Sequence, residues 1–399
     1  MPAVSKPTEK NRLESSLLHR SMMLFQQAAG WPGRLLPLLA VLVAGLAGVV
    51  WWLFPAGRAV APAAGVILFL FLGADMALLR SLPRRGVSFG PWQAQAVVLA
   101  VPRTAASLLP LLLLSRPGAG WALGVLLALQ VLGSVLLYWG AVIEPFRLSL
   151  TRLEVALPGL PVDARPLRLL HISDLHVERL TRREARLLEL VEAARPDVIL
   201  LTGDYVNLSY TEDALTHRQV RQLLGQLEAP GGVYATLGSP PVDLPQVMPA
   251  LFDDLPVRLL RDEWEWLELP GGRQLVLLGL DCTHDLEEDG GRLGQLVEQA
   301  PNGVPRVLLY HSPELMPQAA GHGLELYLCG HTHGGQVRVP GYGALITSSQ
   351  LGRDYVMGHY RLGTTNLYVS RGVGLEGLSA PRVRFLSPPE ITLVTLHPA

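Results

Sequence analysis

LRLLHISDLHVERLTRREARLLELVEAARPDVILLTGD, residues 167–204, decides the fold. It opens on a mainly apolar strand, Leu167 to Ile172, interrupted only by Arg168 and His171. An amphipathic segment from Thr181 to Ala194 follows, with Leu187, Leu188, Leu190 and Val191 on a core face and Arg182, Arg183 and Arg186 toward water. A second apolar strand, Val198 to Thr202, completes a strand–helix–strand unit whose crossover is expected to be right-handed. Asp174 and His176 follow the first strand and Gly203-Asp204 the second. These are the carboxyl ends of parallel strands, where open α/β sheets place their sites.

The pattern recurs downstream. His311 follows the apolar run Val307 to Tyr310, and Gly330-His331-Thr332-His333 follows Leu324 to Cys329. One His beyond a strand is ordinarily packed or solvated. Two Asp and four His at four strand ends are not explained by packing. Imidazole mixed with carboxylate favours Mn, Fe or Zn over Mg or Ca. Six such groups are too many for one open ion but suit two divalent ions sharing a carboxylate, an arrangement that serves in-line displacement at phosphorus. Asn207 and Asp281 are candidates, on spacing, to orient the ligating imidazoles. His171, His284, His322 and His359 lack ligand spacing and read as structural or surface residues. Further strands are expected at Gly232–Leu237, Trp264–Leu269, Gln274–Leu280, Leu345–Ser348, Asn366–Val369 and Ile391–Leu396. Together they predict a two-sheet α/β sandwich over residues 144–399.

The first part of the chain is different. Residues 1–34 form a basic segment, and 35–143 hold four apolar runs: 35–54, 59–79, Trp92 to Leu114, and Trp121 to Ile143. Each approaches the length of a bilayer-spanning helix, although the third contains Arg103 and two prolines. Tryptophans 31, 51, 52, 92 and 121 lie near the span ends, where indole favours the interface. An all-α four-helix transmembrane region is therefore expected ahead of the sandwich. Lys6, Lys10, Arg12, Arg20 and Arg34 precede the first run, and Arg80, Arg84 and Arg85 lie in the second loop. Only Arg58 and Arg116 lie in the first and third loops, so the positive-inside rule puts the C-terminal domain in the cytoplasm, on the inner membrane. Asp75 and Arg103 are expected to pair within the bilayer, with a transport element as the alternative. The net charge of −1 supplies no basic field for nucleic acid, and two cysteines make no disulfide framework.

These motifs resemble the calcineurin-like metallophosphoesterases. The resemblance spans about residues 144–399 and is closest in GHTHGGQVRVPGYGALITSSQLGRDY and LYVSRGVG, which look like the bacterial membrane-attached branch. It implies that Asp174, His176, Asp204 and His333 hold one metal, with Asp204 bridging to a second held by His311 and His331. It also implies a phosphorylated small-molecule or lipid substrate beside the bilayer, such as the pyrophosphate of a nucleotide-lipid. The sequence departs from the family at Gly238-Ser239-Pro240-Pro241, where the pattern is Gly-Asn-His-Asp or Gly-Asn-His-Glu. Ser239 stands for the Asn of the second metal, and Pro240 for the His that contacts phosphate and protonates the leaving group, so no catalytic residue is assigned. Ser239 and Asp243 are candidate substitute ligands, and Arg353 and Arg371 candidate phosphate contacts. Two readings stay open: a membrane-anchored phosphoesterase, and a weak or inactive metal-binding sensor or scaffold of the same fold.

Overall fold

In a computed structural model, residues 17–113, 118–161 and 165–399 are described. Lys6, Lys10, Arg12 and Arg116 of the charge pattern lie outside them. The chain divides into two units: residues 21–145 with 376–385, and residues 146–375 with 386–399, the latter also grouping residues 17–20.

After a short helix α1 (Leu17–Gln26), the helical unit contains α2 (Leu35–Leu53), α3 (Ala61–Ser81), α4 (Trp92–Leu108) and α5 (Ala119–Tyr138). With their helical extensions they give four spans long and apolar enough to cross a membrane: Leu35–Leu53, Pro55–Ser81, Trp92–Leu112 and Ala119–Phe146. The third stays helical through Pro102. Small residues let α2 and α3 approach closely. A Cβ on Gly65 would lie 3.0 Å from the Ala44 carbonyl, and one on Gly48 would lie 3.4 Å from that of Ala61. Outward-facing Leu38, Val41, Leu42 and Leu46 are exposed, as lipid-facing side chains are.

Asp75 and Arg103 form the expected buried pair, Nε to Oδ2 at 2.8 Å and Nη2 to Oδ1 at 2.7 Å. Arg103 Nη1 also donates to the carbonyl and side-chain oxygens of Gln130, and Nη2 to Ser134 Oγ. Every guanidinium donor of Arg103 is thus engaged within the helical unit. Glu376–Phe385 belongs to the helical unit, where Arg384 N donates to the Gly140 carbonyl.

The second unit has two six-stranded sheets. The first runs β1 (Ser149–Leu157), β14 (Glu390–Pro398), β2 (Leu167–Ile172), β3 (Val198–Thr202), β4 (Val233–Thr236), β5 (Arg258–Leu259). Strands β2 to β5 are parallel. The second runs β12 (Gly358–Leu362), β13 (Thr365–Val369), β9 (Leu326–Cys329), β8 (Arg306–Leu309), β7 (Arg273–Gly279), β6 (Glu263–Leu269). Strands β7, β8, β9 and β13 are parallel to one another. A small hairpin, β10 (Arg338–Val339) with β11 (Gly343–Ala344), stands apart.

Strand periodicity explains the layers. Leu167 and Leu169, Val198 and Leu200, and Leu275 and Leu277 share one core between the sheets. Their neighbours Leu170, Ile172, Ile199 and Leu201 face the other way, against Leu187, Leu190 and Val191 of α6 (Arg182–Ala194) and Val220 of α7 (Ala214–Leu224). Val276, Leu278 and Leu308 likewise meet Leu293 of α8 (Leu286–Gln299) and Met316 of α9 (Met316–Gly321). Helix α6 starts at a capping box: Thr181 Oγ1 accepts from Arg183 N, and Glu184 accepts from Thr181 N. The strand–helix–strand unit is thereby set so that β2 and β3 end side by side.

Candidate metal centre

The parallel strands of both sheets deliver their downstream loops to one place. Asp174 N bonds the Gly203 carbonyl at 3.0 Å and His176 N that of Asp204 at 2.9 Å, tying the loops after β2 and β3 together. Gly330 N bonds the His311 carbonyl at 2.8 Å, which ties the loops after β8 and β9. Glycine is required where these loops meet: a Cβ on Gly330 would fall 1.9 Å from Asp174 Oδ2, and one on Gly238 2.2 Å from Asp204 Oδ1. Asp174, His176, Asp204, His331 and His333 all hold left-handed backbone, φ 40° to 70°. Such strain persists only where surrounding contacts over-determine it, and it concentrates at functional sites.

The six expected side chains are all buried. Donor atoms of Asp174, His176 and His333 lie within 4.8 Å of one another, as do those of Asp174, Asp204 and His311. His176 Nε2 is 3.0 Å from His333 Nε2. Asp204 Oδ2 lies 3.4 Å from His176 Nε2 and 3.3 Å from His311 Nε2, between the two groups. His331 is set further out, its Nδ1 3.4 Å from Ser239 Oγ and its ring 5.1 Å from that of His311.

The donor set fits divalent cations. Asp174 Oδ2 and His311 Nε2 are buried without a hydrogen-bond partner, a costly state that a cation would relieve. His311 Nδ1 donates to the Thr202 carbonyl at 2.7 Å, which turns Nε2 toward Asp204. Burial works against ionisation of Asp204, but the neighbouring imidazoles, His311 above all, outweigh it and hold the carboxyl below its usual range. For Asp174 burial prevails, and its pKa is raised. Burial, with His284 and His311 adding, lowers His331 to about 3 and keeps that imidazole neutral, as a ligand must be.

Several secondary expectations change. Asp243 does not turn toward the cluster: it accepts from Asp204 N at 2.7 Å, Gly238 N at 2.8 Å and Tyr205 N at 3.0 Å. It therefore staples the loop after β4 to that after β3 and is not a substitute ligand. Arg353 donates to the carbonyls of Tyr342 and Ala344 and lies over the Tyr342 ring, bracing the β10–β11 hairpin. Arg371 is paired with Glu390. Asn207 donates to the Leu375 carbonyl and Asp281 binds Arg261, while the Thr202 carbonyl orients His311.

One residue was missed. His284 follows β7 in Asp281-Cys282-Thr283-His284 and is fully buried at the side chain. Its Nε2 is 3.1 Å from Ser239 Oγ, and its ring is 4.7 Å from that of His331. Its position after a fifth parallel strand was the available signal.

Residues 167–335 match the family model described as calcineurin-like phosphoesterase. Among curated proteins, the chain is 30% identical over 262 residues to the metallophosphoesterase YkuE of Bacillus subtilis, covering 64% of this chain and 87% of that protein. It is 30% identical over 246 residues to the phosphodiesterase YaeI of Escherichia coli, covering 59% and 83%. To the UDP-2,3-diacylglucosamine pyrophosphatase LpxG of Chlamydia trachomatis it is 24% identical over 307 residues, covering 64% and 91%.

Proposed function

Because the chain belongs to the calcineurin-like phosphoesterase family, we propose that it is a membrane-anchored, divalent-metal-dependent hydrolase of a phosphoester or pyrophosphate bond. The observation that carries this reading is the pair of interlocked donor groups with Asp174 Oδ2 and His311 Nε2 left unsatisfied. Asp174, His176, Asp204 and His333 would hold one cation, and Asp204, His311 and His331 the other. Such cations, Mn, Fe or Zn in preference to Mg or Ca, supply positive charge to phosphoryl oxygens and a stronger water nucleophile at neutral pH.

Pro240 narrows the substrate. Its side chain has no proton to give a leaving group, and general acid help is worth about 10²–10⁴ in rate. A bond whose leaving group departs as a stable anion needs that help least. A pyrophosphate, which releases a phosphate monoester, meets this condition; an alkyl phosphate, which releases an alkoxide, does not. Similarity to a pyrophosphatase named for UDP-2,3-diacylglucosamine supports the same class, a nucleotide-lipid at the inner leaflet.

Ser239 and Pro240 also motivate the second reading, a metal-binding sensor or scaffold with little turnover. Full-length protein in detergent, reloaded with Mn²⁺, should hydrolyse bis(p-nitrophenyl) phosphate and lose that activity on chelation. Bound Mn²⁺ without wild-type hydrolysis, together with strong activity in Ser239→Asn/Pro240→His, would establish the sensor reading instead. Absence of bound metal in both would remove the centre altogether.

Arg20, Arg34, Arg80, Arg84 and Arg85 on one side, against Arg58 on the other, support a cytoplasmic C-terminal domain at the inner membrane. In sealed inverted vesicles, added protease is expected to degrade that domain. Protection there, with degradation in right-side-out spheroplasts, would reverse the orientation.

A further inference from the structure

Three imidazoles, not two, lie beside Ser239 and Asp204: His284, His311 and His331. We infer that His284 Nε2 is a ligand of the second divalent cation, completing with His311, His331 and Asp204 a set of three imidazoles and one carboxylate. The inference rests on the metallohydrolase reading above and adds to it a ligand outside the strand-end motifs.

The placement supports it. His284 Nε2 lies 3.1 Å from Ser239 Oγ, and the same hydroxyl is 3.4 Å from His331 Nδ1, so both imidazoles present nitrogen to one small volume. That volume adjoins Asp204, whose Oδ1 accepts from Ser239 N at 2.8 Å. The other ring nitrogen, His284 Nδ1, is 3.6 Å from Glu314 Oε2, an oxygen with no hydrogen-bond partner. Both side chains have 0% exposure. A carboxylate behind an imidazole, with the far nitrogen aimed at a metal, is the usual way a ligating His is oriented and made basic. Gln350 fixes the dyad: its amide N donates to Glu314 Oε1 at 2.5 Å, and its Nε2 to the His284 carbonyl at 2.9 Å. Cys282 Sγ lies 3.7 Å from both ring nitrogens. His284 also shares the left-handed backbone of the other site residues, with φ 63°. A cation at Nε2 takes the place of a proton there and leaves Nδ1–H on Glu314. Two imidazoles and one shared carboxylate are a sparse set for a divalent ion; a third imidazole gives the four protein ligands typical of a firmly held one.

The test is Mn²⁺ binding by the full-length protein in detergent, stripped by chelation and reloaded. It is read as Mn per chain by elemental analysis and as exchange-coupled signals by electron paramagnetic resonance. Wild type is expected to bind two Mn²⁺ with a coupled spectrum. His284→Ala should retain one, with an uncoupled spectrum, and that retained ion reports an intact fold. Glu314→Gln should keep both ions but weaken the second by about 10–100-fold, as loss of an orienting carboxylate does. Two coupled Mn²⁺ in His284→Ala at wild-type affinity would overturn the inference and leave the two-metal reading standing. Fewer than two in wild type would instead sink that reading. If His284→Ala fails to fold, Glu314→Gln decides, and an unchanged second-site affinity overturns the proposal.

Discussion

Asp204→Asn should leave the chain folded, deplete both cations and cut hydrolysis by about 10³-fold or more. The substitution is nearly isosteric, and the amide Oδ1 can still accept from Ser239 N, now held at 2.8 Å. The charge is lost at the point where it serves both donor groups, since Oδ2 stands 3.3 Å from His311 Nε2 and 3.4 Å from His176 Nε2. Without it, the imidazoles of the centre share a single carboxylate, Asp174, whose ionisation burial already opposes. Metal-derived charge stabilisation is worth several kcal/mol. At about 1.4 kcal/mol per tenfold, that gives the expected loss. Elemental analysis and Mn²⁺-dependent hydrolysis of a phosphodiester check it on the same preparation, with a denaturant melt to confirm folding. Retention of two cations and more than about a tenth of the wild-type rate would exclude Asp204 as the shared ligand, since the expected loss rests on charge supplied through it.

How much of this was legible follows from how each residue depends on sequence neighbours. Asp174, His176, Asp204, His311, His331 and His333 each lie within a few residues of an apolar run that can only be a buried strand. Their convergence then follows from the rule that parallel strands carry their sites at the carboxyl end. The two sheets were legible for the same reason, and the four spans from length and apolarity. His284 was not, because it sits five residues beyond β7, and only the pairing of β7 with β8 brings that loop beside His331. Asp243 misled because a carboxylate near a ligand position reads as a ligand, whereas three backbone amides from two loops had claimed it. Sequence likewise does not show which carbonyls and carboxylates the guanidiniums of Arg353 and Arg371 engage. The attachment of Glu376–Phe385 to the helices carried no local signal, because its partner Gly140 is distant in sequence.

Pro240→His should raise the rate on alkyl phosphodiesters by about 10²–10⁴, the usual worth of a positioned general acid. On a pyrophosphate or a p-nitrophenyl ester it should change the rate little. The backbone permits the exchange: Pro240 and Pro241 occupy a turn closed by Val242 N and Asp243 N on the Ser239 carbonyl, both at 2.8 Å. Losing one proline's restraint on the unfolded chain costs only about 0.4–1 kcal/mol. Asp243 continues to staple the loop through Gly238 N, so the new imidazole stays next to the cluster. The measurement is kcat for a homologous series of phosphodiesters, plotted against leaving-group pKa for wild type and variant. Wild type should show a steep fall as the leaving group becomes more basic, and Pro240→His a shallow one, with the lines meeting at acidic leaving groups. Parallel lines would mean that another group already protonates the leaving oxygen in the wild type, and the restriction to pyrophosphate-like bonds would fail. Converging lines would explain how a site of this family can work without its usual acid: the chemistry is kept for bonds whose leaving group requires no proton.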